Sequence, residues 1–241
     1  MEPTEKAAKD ILAVIEATYR PSHEYVNVDP KLFRHLDLHW YDRTSRLLQS
    51  KGFKPLANVA DRSKTALAGN VLMPALIRTM LSKDGTVMAV LCHARIKGLL
   101  RRLLLWLLRK LPGKVINMET ECTDGTFVVT SNAATAALIE LPALISAEFL
   151  RARATVHEVH HRHVTHLAAH LARRPGVSAR SVSTQVELVA SRNRMNALKA
   201  AYRGQVGGIT REELDTLTQF GTPIPAAVRT AVVREQVRRA S

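Results

Sequence analysis

The chain has 241 residues, 46% of them apolar and 23% charged, with only 11 Gly and 10 Pro. That excludes collagen-like, low-complexity and disordered classes. Its 35 Lys+Arg against 21 Asp+Glu leave a net charge of +14, a field that favours anionic partners: a membrane face, an acidic protein or nucleic acid.

Cys92 and Cys122 are too few for a disulfide framework, and neither a secretory leader nor an apolar run of about 18 residues is visible, so the expected compartment is the cytoplasm. The Arg-, Ala- and Leu-rich usage suggests a GC-rich bacterial genome. The charge is uneven. Residues 1–60 hold 9 basic and 8 acidic side chains, whereas 61–140 carry a net +5 and 141–241 a net +8. These three stretches divide the chain into an N-terminal helical segment, a sheet region with a basic leucine-rich insertion, and an Arg/His-rich helical region.

Residues 4–19 read as an amphipathic helix with Ile11, Leu12, Val14 and Ile15 on one side. A second helix is expected from Pro30 or Lys31 to Ser50, with Leu32, Phe33, Leu36, Trp40, Leu47 and Leu48 as its apolar stripe. Next come two Asp-Gly pairs between apolar runs, the mark of hairpins. A two-residue turn at Asp84-Gly85 sets Leu81 opposite Met88, Thr79 opposite Val90 and Ile77 opposite Cys92. The same arithmetic at Asp124-Gly125 sets Cys122 opposite Phe127, Thr120 opposite Val129 and Met118 opposite Ser131. Both cysteines then point to the apolar side, while Glu119, Glu121, Thr126 and Thr130 collect on a polar one. The fold class is therefore α+β, a four-stranded antiparallel meander flanked by helices.

From Leu138 onward the pattern is helical. The expected helices are Leu144–Leu171, Val182–Tyr202, a short one opened by the capping box Thr210-Arg-Glu-Glu213, and Ala226–Arg239.

Three constellations carry functional readings. Residues 97–111 place Leu99, Leu100, Leu103, Leu104, Trp106 and Leu107 on one arc, with Arg101, Arg102, Arg109 and Lys110 at its margins. That is the makeup of a helix lying in a membrane interface, although such a helix could also cover the sheet. The histidine-rich stretch contains His157-Glu158-Val159-His160-His161, formally the H-E-x-x-H pattern in which two imidazoles one turn apart grip zinc. A second stripe of His163, His166 and His170 follows on another face. Finally, Arg151, Arg153, Arg173, Arg174, Arg192 and Arg194 form a basic surface suited to phosphates.

No phosphate-binding glycine loop or nucleophile elbow is present. The leading reading is a non-enzymatic protein, without cofactor, that docks on an anionic membrane surface or a protein partner through 97–111. The alternatives are a nucleic-acid-binding protein using the Arg-rich C-terminal half, and a zinc-dependent hydrolase at His157, Glu158 and His161.

Overall fold

Seven strands form one sheet in chain order in the computed structural model, which describes residues 2–63, 73–93, 95, 113–220 and 224–240. They are β1 (Tyr25–Asn27), β2 (Lys54–Asp61), β3 (Ile77–Leu81), β4 (Met88–His93), β5 (Lys114–Glu121), β6 (Phe127–Ser131) and β7 (Ile145–Phe149). The fold is α+β, but the sheet is not the four-stranded antiparallel meander expected. It has seven strands, and its last pair, β6–β7, is parallel. The three stretches distinguished by charge all contribute strands to it.

Both Asp-Gly pairs close hairpins through an initial turn of the same kind. Gly85 donates to the Ser82 carbonyl and Gly125 to the Cys122 carbonyl, each at 3.0 Å. Only the glycines take positive φ, +74° and +80°; each aspartate instead accepts from the threonine two residues on. The ladders then close differently. Ser82 donates to the Val87 carbonyl, but Cys122 donates to that of Thr126, one residue sooner. The first register is therefore as expected, with Leu81 opposite Met88 and Ile77 opposite Cys92. The second is one residue out: Glu121 pairs with Phe127, Glu119 with Val129 and Asn117 with Ser131.

The β4–β5 pairing, with Met88 opposite Glu119 and Cys92 opposite Val115, sets the faces. Glu119 and Glu121 share a face with Leu81, Met88, Val90 and Cys92, and Cys122 lies on the opposite face with Met118 and Thr120. The two cysteines are thus not on one apolar side. Neither face is left bare, because helices cover both.

On one face, α2 (Leu38–Gln49) and α3 (Val156–Ala172) bring Trp40, Tyr41, Leu48, Val156 and Val159 onto Met80, Ala89, Leu91, Ile116 and Met118. On the other, Leu188 and Met195 of α4 (Gln185–Gln205) pack on Leu81, Met88 and Val90 and on Phe127, Val129 and Ile145 respectively. Beside this stack, α1 (Pro3–Thr18), α5 (Arg211–Phe220) and α6 (Ala226–Ala240) share a core of Ala8, Leu12, Leu214, Val228 and Val232.

Helix starts follow local chemistry. Thr155 with Glu158 and Thr184 with Glu187 form reciprocal capping boxes, and Thr210 with Glu213 makes the one expected from sequence. The expected helix Leu144–Leu171 is in fact β7 followed by α3, because the Thr155 cap starts the helix and Ile145–Phe149 completes the sheet edge. The expected helix to Ser50 likewise splits into a 3₁₀ turn at Pro30–Phe33 and α2, whose first turn Asp37 caps by accepting from Trp40 N.

The two turn glycines differ in surroundings. A Cβ on Gly85 would sit 2.3 Å from the Val182 carbonyl oxygen, whereas one on Gly125 meets nothing within 4 Å. Both alanine variants incur left-handed strain of about 1–2 kcal/mol. Gly85→Ala must also push the Ser181–Val182 segment off the turn, so urea unfolding should show it at least about 1 kcal/mol less stable than Gly125→Ala.

Candidate functional site

Strands β4 and β5 are adjacent and antiparallel, and His93, the last residue of one, pairs with Lys114, the first of the other. Twenty residues, 94–113, connect them. The expected docking segment 97–111, with Leu99 through Lys110, lies outside the described residues.

The end of the sheet where this connection departs is described, and it is polar and tightly bonded. Tyr41 donates to the Leu76 carbonyl and accepts from His93 N, each at 2.6 Å. His93 Nδ1 accepts from Asp37 N at 3.1 Å. Burial, with Arg95 and Lys114 nearby, pushes the His93 imidazole below its ordinary pKa, in keeping with a neutral acceptor nitrogen. Lys114 Nζ donates to Asp37 Oδ2 at 2.5 Å, and that bond holds the Asp37 carboxyl low. Arg95 donates to the His35 carbonyl at 2.6 Å. The 3₁₀ turn just upstream buries Phe33 but leaves Leu32 75% exposed, with exposed Lys31 and Arg34 on either side of that pair.

Helix α3 separates its histidines by face. The Glu158 carboxylate of the H-E-x-x-H stretch accepts from Thr155 N at 2.7 Å and Arg151 at 2.5 Å, so it serves the helix cap. The His157 and His161 rings stack with centroids 6.4 Å apart, and Lys51 Nζ lies 3.1 Å from His157 Nδ1. Among the described residues no group of three or more His, Cys, Asp or Glu side chains is placed to hold a metal ion.

The second stripe faces the sheet. His163 is wholly buried between the Thr120 and Thr130 hydroxyls, at 3.0 and 3.1 Å. His166 lies 2.8 Å from Ser146 Oγ, and His170 lies 3.0 Å from Thr126 Oγ1. Burial pushes all three imidazoles down, His163 to about 3.

The basic residues are partly committed. Arg194 forks onto Glu121 at 2.8 and 2.7 Å, and Arg192 lies 4.0 Å from Glu119 with its guanidinium over the Tyr25 ring. Both carboxylates are buried beneath α4. Burial raises Glu121, but hydrogen bonds from Arg194 and Ser191 bring it below its ordinary value. Arg192 and Arg194 thus each face a buried carboxylate of the sheet. Arg151 is paired with Glu158 and Arg174 with Asp124, while Arg153 and Arg173 are exposed.

One cluster had no sequence signal because its members lie 38 residues apart. His23 Nδ1 is 2.5 Å from Asp61 Oδ2, and Ser63 donates to Asp61 Oδ1 at 2.7 Å, all three being buried. They line a cleft of about 1060 Å³ beside β1.

No protein-family model matches the chain, and no curated protein and no solved structure is significantly similar to it.

Proposed function

We propose that the chain docks on an anionic lipid surface through the end of the sheet where β4 departs and β5 returns, using residues 97–111. The supporting observation is the length and place of that connection. Adjacent antiparallel strands are joined by about 2–5 residues in an ordinary hairpin. Here twenty intervene, and fifteen of them hold eight leucines, Trp106 and five cations. Both faces of the neighbouring strands are packed by α2, α3 and α4, so the apolar arc of 97–111 is not needed to clothe them. Exposed Leu32, with Lys31 and Arg34, adds a second apolar point between cations near the same end. No helix among the described residues is long and apolar enough to cross a membrane.

Each apolar Å² withdrawn from water contributes roughly 25 cal/mol, and each cation near an anionic surface about 1 kcal/mol. The protein should therefore sediment with vesicles containing phosphatidylserine and not with pure phosphatidylcholine. Leu103→Glu/Trp106→Glu should reduce that binding at least tenfold with an unchanged circular dichroism spectrum, and Leu32→Glu should weaken it less. An insoluble double variant would mean that 97–111 belongs to the core. A wild-type protein that ignores anionic vesicles would also end the proposal.

A further inference from the structure

The solvent side of α3 carries two imidazoles one turn apart, and nothing about them rests on the docking reading. His157 and His161 are both exposed, on a helix that runs unbroken from Val156 to Ala172. Four residues advance an α-helix by about 6 Å and slightly more than one turn, so the two side chains leave the same side. Their rings lie 10° from parallel, with centroids 6.4 Å apart. Two imidazoles sharing one ion through nitrogen bonds of about 2.0–2.1 Å have centroids about 5–6 Å apart. A small rotation of two exposed side chains closes that gap, and the backbone need not move.

The neighbours decide what such a pair can hold. The Glu158 carboxylate is engaged by Thr155 N and Arg151, and Arg162 is answered by Glu148. The half-buried His160 turns edge-on to Phe53, with centroids 5.7 Å apart. The pair therefore offers two imidazole nitrogens and no carboxylate. That donor set suits copper(II), nickel(II) and zinc, in the order copper above nickel and zinc, and not magnesium or calcium, which take oxygen. Lys51 Nζ, 3.1 Å from His157 Nδ1, is a cation that opposes an arriving one.

We propose that His157 and His161 together hold one divalent first-row transition ion as a two-nitrogen surface chelate, its other coordination positions left to water. With Glu158 tied to the helix cap, no carboxylate of this stretch is free to activate such a water, so the site binds an ion and does not hydrolyse.

Nickel(II) alone is the probe, followed by calorimetric titration of the full chain. One equivalent should bind ahead of any others, and magnesium should give no saturable heat. His157→Gln and His161→Gln should each weaken that first equivalent at least tenfold, because either change leaves a single imidazole. His39→Gln, which removes another exposed histidine, should leave it unchanged, and Lys51→Ala should tighten it. In the unaltered protein, paramagnetic nickel should broaden the ring-proton signals of His157 and His161 before those of His39, a readout that no misfolded variant can disturb. Absence of a saturable first equivalent would overturn the proposal. So would simultaneous broadening of all exposed histidines, or a loss on His39→Gln as large as that on His157→Gln, since either shows ions scattered over single side chains.

Discussion

Glu213→Ala should destabilise the protein by about 3–5 kcal/mol, the range for removing one partner of a buried ion pair. Glu213 and Arg203 are 3% and 6% exposed, and Arg203 Nη1 donates to both Glu213 oxygens at 2.8 and 2.7 Å. The same carboxylate accepts from Thr210 N at 2.9 Å to cap α5 and from Glu140 N at 2.8 Å. Arg203 also donates to the Gly208 and Glu140 carbonyls and stacks between the rings of Tyr19 and Tyr202. Burial around this knot pushes the Tyr19 phenol up to about 12, with Arg203 pulling it back. Truncating Glu213 strands a guanidinium among these groups with no countercharge. Urea unfolding should show the loss, and Arg203→Met/Glu213→Leu should recover much of it by removing both charges. A single-variant loss below about 1 kcal/mol would mean that water reaches Arg203.

Acid should undo the interface between α3 and the sheet. His163 in the folded protein titrates near 3, pushed down by burial, whereas an unfolded histidine titrates near 6.5. As pH falls through about 6.5 the unfolded chain gains a proton that the folded one refuses, so stability drops by about 1.4 kcal/mol per pH unit for this residue alone. The loss continues until about pH 3, and His166 and His170, also lowered by burial, add to it. The depressed carboxylates of Glu121 and Asp124 remain ionised over most of that window and begin to fail only at its acid end. The urea midpoint should therefore fall steeply between pH 6.5 and 5, equivalent to about 2 kcal/mol from His163. His163→Gln, which can still bond Thr120 and Thr130 but does not titrate, should flatten the slope. An unchanged midpoint across that range would show His163 to be solvated.

The limits of the sequence lie in particular atoms. Lys83-Asp84-Gly85-Thr86 and Thr123-Asp124-Gly125-Thr126 look interchangeable, yet one closes a residue later than the other. At the first, the Ser82 hydroxyl donates to Asp84 at 2.6 Å and accepts from Val87 N at 2.9 Å, which fills the extra residue's bonds. Cys122 has only a thiol there, and its backbone takes the shorter closure. With that closure Phe127 and Val129 come opposite Glu121 and Glu119 rather than Cys122 and Thr120. β7 was hidden because Ile145–Phe149 runs directly into a helical pattern, although Thr155-Val-His-Glu158 carried the capping signature of the true start. The length and charge of 97–111 were plain in the sequence. Its placement between adjacent strand ends was not, because strand pairing is a long-range property. The His23–Asp61 contact is another such pairing.

The sheet's strands lie side by side in the order in which they occur along the chain, so each pairs with a strand next to it in sequence. The union of α1 with α6 is of a different kind. Ala8 and Leu12 meet Val228 and Val232 across more than two hundred intervening residues, a closure whose entropy is recovered only once the sheet has drawn the chain together. Helix α1 thus meets α6 only after the chain between them has been made. Until α6 arrives, the apolar stripe of α1 stays open to water, making that helix an adhesive stretch of the nascent chain.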